Sequence, residues 1–198
     1  MAFFVEYEPD NKKDCDEFYS RYDLIIRRSV FSDYIEVAKI TTDRRGEGAD
    51  HDENLELFRK KFELRDEKEN EYFIAALKDK NNPETPEEVI GYSHIEYCDF
   101  GSEKYKKYEG INTPSGWYLL GLGVYPKYRR LRIGSKLTER RLQWAKENSD
   151  AKKVYFYTNP LNVTSQEFHK VLGFKKMEGE WRFLDRPSAK TVMFEIDL

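Results

Sequence analysis

The chain has 198 residues, 39% of them hydrophobic and 36% charged, with a net charge of −3. It has room for one well-buried core, and 14 Tyr, 13 Phe and 3 Trp exclude intrinsic disorder. No apolar run approaches the roughly 20 residues that span a bilayer, and the acidic balance offers nucleic acid no global attraction.

Cys15 and Cys98, 83 positions apart, give neither a disulfide framework nor a zinc spacing. The N-terminus lacks the basic and apolar regions of a secretory signal. The expectation is a cytosolic, metal-free protein without membrane or nucleic-acid partners. A polar leader (residues 1–22) precedes a single domain over 23–198.

Leu24-Ile25-Ile26 begins a short strand. Ser32-Asp33 then caps a helix carrying Ile35, Val37, Ala38 and Ile40. A polar loop from Thr41 to Asp52 leads to a second helix, with Leu55, Phe58 and Phe62 at helical spacing. Glu71–Leu77 and Val89–Tyr97 read as neighbouring antiparallel strands, joined by a turn around Asn81, Asn82, Pro83 and Pro86. Asp99–Ser115 reads as a long loop or partly helical insertion. Loops of that length are often functional.

Trp117–Val124 is strongly apolar, hence a central strand, and a helix begins near Ile133 with Leu137, Trp144 and Ala145 on its core face. Val154–Thr158 is another strand. A helix through Phe168 to Leu172 follows, closed by Gly173 as a left-handed cap. Strands over Lys175–Phe183 and Thr191–Ile196 end the chain. The fold class is α+β, a mixed, mostly antiparallel central sheet with helices on both faces.

One patch departs from the overall charge. Between Lys127 and Arg141 seven basic residues face Glu139 alone. Arginines beside a helix start oppose the macrodipole at about 0.3–1 kcal/mol each. A bound anion removes the conflict, because backbone N–H groups and cations then converge on it, and Gly134 leaves room for a phosphate. A solvated basic face is the alternative.

The run Val124-Tyr125-Pro126-Lys127-Tyr128-Arg129-Arg130-Leu131-Arg132-Ile133-Gly134-Ser135 resembles the signature of the GCN5-related N-acetyltransferases. That signature is a central strand ending in Val-x-Pro, then Tyr-Arg, then Q/R-x-x-G-x-G/A opening a helix. Arg129 and Gly134 match it, while Arg132 takes the place of the first glycine. A second family pattern is Asn, two residues, a small residue, then Leu-Tyr-x-x-x-Gly-Phe. It maps onto Asn162, Ser165, Phe168-His169 and Gly173-Phe174.

The resemblance implies a GNAT-like acyltransferase fold with acetyl-CoA as co-substrate. It places the pyrophosphate on Arg129, Arg130, Arg132, Ile133, Gly134 and Ser135. The acetyl and pantetheine end falls on Leu122, Gly123 and Val124, with Asn162 and Ser165 beside the cofactor arm. Gly121 and Gly123 either permit a bulge that splays the strand or make room for packing.

Acetyl transfer to an amine needs a neutral amine, a stabilised oxyanion and a proton for the departing thiolate. His169 stands where many members carry the tyrosine that donates this proton. It is the candidate acid, or else it only packs near the cofactor tail. Tyr118 occupies the position of the glutamate base found in some relatives. A tyrosine is a poor base at neutral pH but can orient a water. Glu96 and Asp99 are substitutes by proximity. His51 reads as a surface residue and His94 as a structural one.

In this family the acceptor site is walled by Thr41–Asn54 and Asp99–Ser115. Here these carry Glu47, Asp50, Asp52, Glu53, Asp99, Glu103 and Glu109, with Tyr105 and Tyr108, although Lys104, Lys106 and Lys107 dilute the second. The expected acceptor is a small cationic amine of the aminoglycoside or polyamine kind, on an enzyme that is a monomer or a homodimer. The alternatives are a protein amine as acceptor, a non-catalytic coenzyme-A sensor, and a nucleic-acid-binding domain using the basic patch beside Tyr125 and Tyr128. The overall negative charge opposes the last.

Overall fold

The computed structural model describes residues 12–46, 48–105, 112–182 and 191–198, with side chains from residue 15 onward. Glu47, Lys106, Lys107, Tyr108, Glu109, Phe183 and the first half of the leader lie outside the described residues.

In chain order the elements are α1 (Lys12–Arg21), β1 (Tyr22–Arg28), α2 (Tyr34–Arg45), α3 (His51–Glu63), β2 (Asn70–Asp79), β3 (Glu88–Cys98) and β4 (Gly116–Val124). They continue with α4 (Ile133–Asn148), β5 (Lys153–Thr158), α5 (Val163–Val171), β6 (Lys175–Lys176) and β7 (Val192–Asp197). Among the described residues seven strands form one mixed sheet in the order β1-β2-β3-β4-β5-β7-β6, with β4 at its centre as its apolar run implies. β4 and β5 pair in parallel. The β1–β2, β5–β7 and β6–β7 ladders are antiparallel.

Among the described residues the chain divides into two compact units. The first takes residues up to 95 together with 121–141. Its core is the packing of α2 and α3 on the strands: Val37, Ala38, Ile40, Phe58 and Phe62 meet Tyr72, Ile74, Ala76 and Tyr92. Those strand residues all have even numbers, as one face of a strand requires. Phe73 is fully buried too, and the Arg140 guanidinium of α4 lies over its ring, 5.0 Å from the centroid.

The second unit joins 96–120 to 142–198. Its β4–β5 ladder pairs Trp117 with Val154, Tyr118 with Tyr155 and Leu119 with Phe156. Cys98, Tyr105, Tyr118 and Met193 form a buried cluster there.

Four sequence expectations need correction. α2 runs on to Arg45, so the connection to α3 starts at Gly46 rather than Thr41. Two threonines were read as loop, yet their hydroxyls are satisfied in the helix. Thr41 bonds the Tyr92 hydroxyl at 2.7 Å, and Thr42 donates back to the Ala38 carbonyl at 3.0 Å. The Asp33 carboxylate does not cap α2; it accepts from the Val30 N–H and from Arg27, both at 2.7 Å. The strand after Gly173 shrinks to Lys175–Lys176, with one further bridge between Trp181 and Thr191. Part of the polar leader, finally, is the helix α1.

Candidate active site

At the end of β4 successive residues turn their polar groups to opposite edges. The Tyr125 N–H donates to the Ile90 carbonyl at 3.0 Å, and a Cβ on Gly91 would stand 3.0 Å from the Gly123 carbonyl. Gly123 and Tyr125 therefore face β3, while Leu122 and Val124 present N–H and C=O to the other edge. There arginine side chains take the carbonyls: Arg44 donates to Leu122 at 3.1 Å and Arg129 to Val124 at 3.3 Å. The missing side chains of Gly121 and Gly123 make room for packing. A Cβ on Gly123 would lie 2.7 Å from the Tyr92 ring and 2.8 Å from Ile40, and one on Gly121 would lie 3.1 Å from the same ring.

Past Val124 a 3-10 turn over Pro126–Tyr128 leads to two residues in the left-handed region, Arg130 (φ 66°) and Arg132 (φ 59°). Each costs about 1–2 kcal/mol for a residue with a Cβ. Arg132 is the arginine in the glycine position of the family signature, so the backbone holds a glycine-like conformation without the glycine. The Lys136 N–H donates to the Arg132 carbonyl at 3.1 Å and opens the ladder of α4. The amides of Ile133, Gly134 and Ser135 stand ahead of that ladder at the positive end of the helix, whose first turn contains no acidic residue. This set fits a pyrophosphate: first-turn amides for its oxygens, and Arg129, Arg130 and Arg132 in the turn for its charge.

The basic run is not one continuous face. Lys127 pairs with Glu88 at 3.0 Å. Arg141 is 1% exposed, donating to the His94 carbonyl at 3.1 Å and to Thr138 at 2.8 Å, and burial pulls its pKa down to about 9.

In the second unit the β5–α5 turn is built from local caps. Asn159 accepts from the Leu161 N–H at 2.8 Å, and Asn162 accepts from the Ser165 N–H at 3.2 Å as the N-cap of α5. Gly173 (φ 92°) ends that helix as expected. The N–H groups of Gly173 and Phe174 return to the Lys170 and His169 carbonyls.

His169 is 3% exposed and stacks on Phe156 at 3.5 Å between centroids. Its Nδ1 lies 2.7 Å from the Ser165 carbonyl, which only accepts, so Nδ1 carries a proton. Nε2 can then give up a proton only from the imidazolium.

Tyr118 is fully buried, donates its hydroxyl to the Pro114 carbonyl, and has its pKa pushed up by burial. At neutral pH it is a donor. Glu96 accepts from Lys104 at 2.7 Å and from the Tyr105 hydroxyl at 3.2 Å, so its carboxylate is already engaged. Burial also holds the neighbouring Cys98 thiol protonated up to about 12. Asp99 is occupied by its own turn, accepting from the Gly101 N–H at 3.1 Å. Asn112 donates to the Glu180 carbonyl at 2.6 Å and accepts from the Arg182 N–H at 2.7 Å. His94 is structural, stacked on Tyr72 at 4.1 Å and bonded to Asn70 at 2.8 Å.

The structure thus gathers Leu122, Gly123, Val124, Arg129, Arg130, Arg132, Ile133, Gly134 and Ser135 around the β4–α4 turn of the first unit. In the second unit Asn162 caps α5, which carries Ser165 and His169; Tyr118 belongs to the Cys98 cluster, and Glu96 accepts from its Tyr105. Sequence reasoning missed Arg44, and it missed Cys15 and Tyr19 of α1, which reach the carbonyls of Arg130 and Leu131. Nothing in the sequence separates Arg44 from other basic residues at a helix end. The spacing of Cys15, Phe18, Tyr19 and Tyr22 was a helical signal within the leader.

The sequence pattern of the GNAT acetyltransferase family matches residues 35–174, and the chain belongs to that family. None of the curated proteins is significantly similar to it. Among solved structures, an acetyltransferase of the GNAT family from Staphylococcus aureus Mu50 is 17% identical, with 89% of this chain and 99% of that one covered at a TM-score of 0.61. Arabidopsis thaliana NAA60 in complex with acetyl-CoA is 16% identical, with coverage of 89% and 99% and a TM-score of 0.61. The yncA protein of Salmonella typhimurium, solved with its cofactor acetyl-CoA, is 15% identical, with coverage of 89% and 94% and a TM-score of 0.58. The chain is an acetyltransferase of the GNAT family.

Proposed function

We propose that this acetyltransferase acetylates a primary amine of a small cationic molecule of the aminoglycoside or polyamine kind. The observation that carries the cofactor half of this reading is the β4–α4 turn, where first-turn amides, two left-handed arginines and a helix without early acidic residues make one anion-binding corner. Acetyl-CoA supplies the activated acetyl thioester when bound. The N–H groups of Leu122 and Val124 face the edge on which a pantetheine arm and an acetyl oxygen would be held. Asn162 and Ser165 would lie beside the cofactor arm.

His169 is the candidate proton donor to the thiolate, acting from its imidazolium form. Tyr118, as a hydroxyl donor, would orient rather than deprotonate. Glu96 would serve as base only by leaving Lys104. A cationic acceptor is supported by Asp52 and Glu53, both exposed at the start of α3. Asp50, Glu96 and Asp99 contribute less, because capping, Lys104 and a turn already engage them. Two buried cysteines outside any disulfide, Cys15 and Cys98, support a reducing, cytoplasmic setting.

The test is thiol release from acetyl-CoA across aminoglycosides, polyamines and lysine peptides. Turnover confined to the first two classes is expected, and turnover confined to peptides replaces the acceptor reading with a protein amine. Binding of acetyl-CoA without turnover on any amine favours a coenzyme-A sensor. Gly134→Leu tests the phosphate corner. It should raise the acetyl-CoA Kd at least about tenfold in calorimetry while the circular dichroism spectrum is kept, because a side chain there displaces charge-assisted hydrogen bonds.

A further inference from the structure

The two left-handed arginines raise the question of what keeps the turn in a shape its own residues disfavour. Glycine adopts such backbone angles freely, whereas arginine pays for them. The bracketed residue is Leu131, and the carbonyls of Arg130 and Leu131 leave the turn toward α1. The Tyr19 hydroxyl donates to the Leu131 carbonyl at 2.6 Å, and the Cys15 thiol to the Arg130 carbonyl at 3.6 Å. Both contacts lie within the first unit and span 112 and 115 residues of sequence.

α1 is itself anchored at its far end. Lys80 donates to the Tyr19 carbonyl at 2.7 Å, the Lys80 N–H donates to the Arg21 carbonyl at 3.0 Å, and Arg21 pairs with Asp79 at 3.2 Å. Phe18 packs edge-on against Tyr128 of the 3-10 turn, 6.1 Å between centroids. The helix is therefore tied to the end of β2 and grips the turn by two carbonyls. It lies ahead of the family match, which begins at residue 35.

We propose that α1, through Tyr19, is a positioning element for the cofactor: it holds the 130–132 backbone in the phosphate-binding shape that the missing glycine would otherwise allow. This rests on reading the β4–α4 turn as the pyrophosphate site. Without the Tyr19 hydroxyl the turn spends part of its time relaxed, and the apparent affinity falls by the fraction that remains competent.

The experiment is a calorimetric double-mutant cycle on the full chain with acetyl-CoA as the probe. Tyr19→Phe is expected to raise Kd about three- to tenfold, the worth of one hydrogen bond. In an Arg132→Gly or Arg130→Gly background, where the turn needs less help, the same substitution should change Kd less than about twofold. A helix that merely stabilised the fold would lower Tm equally in both backgrounds and leave this coupling at zero.

A Tyr19→Phe protein with unchanged Kd overturns the proposal, as does an equal loss in both backgrounds. Gly134→Leu keeps the two failures apart. If it leaves Kd unchanged, the phosphate-site reading is at fault. If it weakens binding while Tyr19→Phe does not, α1 has no positioning role.

Discussion

Two strand-to-helix turns in this protein solve the same problem by opposite means. The β5–α5 turn is stabilised by its own residues: Asn159 and Asn162 accept from nearby amides, and Gly173 takes the left-handed position at the far end of the helix. The β4–α4 turn places arginines at φ 66° and 59°, and the carbonyls of Arg130 and Leu131 are held by side chains from α1 more than a hundred residues away. A locally written turn keeps its shape wherever its segment goes. A turn written by distant contacts keeps its shape only while those contacts persist, which makes it adjustable.

Substitutions can break or sharpen this contrast. The largest stability effect is expected from Gly123→Ala on the strand entering the β4–α4 turn. A Cβ 2.7 Å from the Tyr92 ring and 2.8 Å from Ile40 forces repacking, so urea denaturation should show a loss of about 1–3 kcal/mol. In the β5–α5 turn, Asn162→Ala removes the cap of α5 and should cost about 1 kcal/mol. Gly173→Ala should cost about as much from backbone strain alone, since its Cβ would meet only Ile196 at 3.7 Å. The smallest effect has the opposite sign. Arg132→Gly relieves a left-handed arginine and should raise stability by up to about 1 kcal/mol, after the entropy of the added glycine is counted. A loss there would mean that the Arg132 side chain holds the turn, and the contrast between the two turns would collapse.

The same division decides how much was legible in the sequence. Asn162, Gly173, the helical stripe of Ile133, Leu137, Trp144 and Ala145, and the apolar run of β4 are all signals carried within one element. All but Asn162 were read in their proper place; the cap it makes on α5 was not read from the sequence, which put it only beside the cofactor arm. Arg132 in a glycine position was also visible, but its consequence was not, because the carbonyl donors come from α1. That helix was read as part of a polar leader, despite Cys15, Phe18, Tyr19 and Tyr22 at helical spacing. The end of α2 was misplaced because Thr41 looks like a loop residue until Tyr92 is there to bond its hydroxyl. The acidic loops looked like a surface for cations, yet Asp50 and Asp99 are spent on their own backbone. Sequence records which carboxylates exist, while only the fold records which are already engaged.

Asn112 has a consequence for how such an enzyme diversifies. Its carboxamide gives a donor and an acceptor to one stretch of main chain, at Glu180 and Arg182, much as a strand neighbour would. The segment before β4 and the segment after β6 are thereby stitched together by the Asn112 side chain. Grafting either one alone from a relative would leave an amide without its mate, so the two should be exchanged as a matched pair, a unit of inheritance larger than one loop.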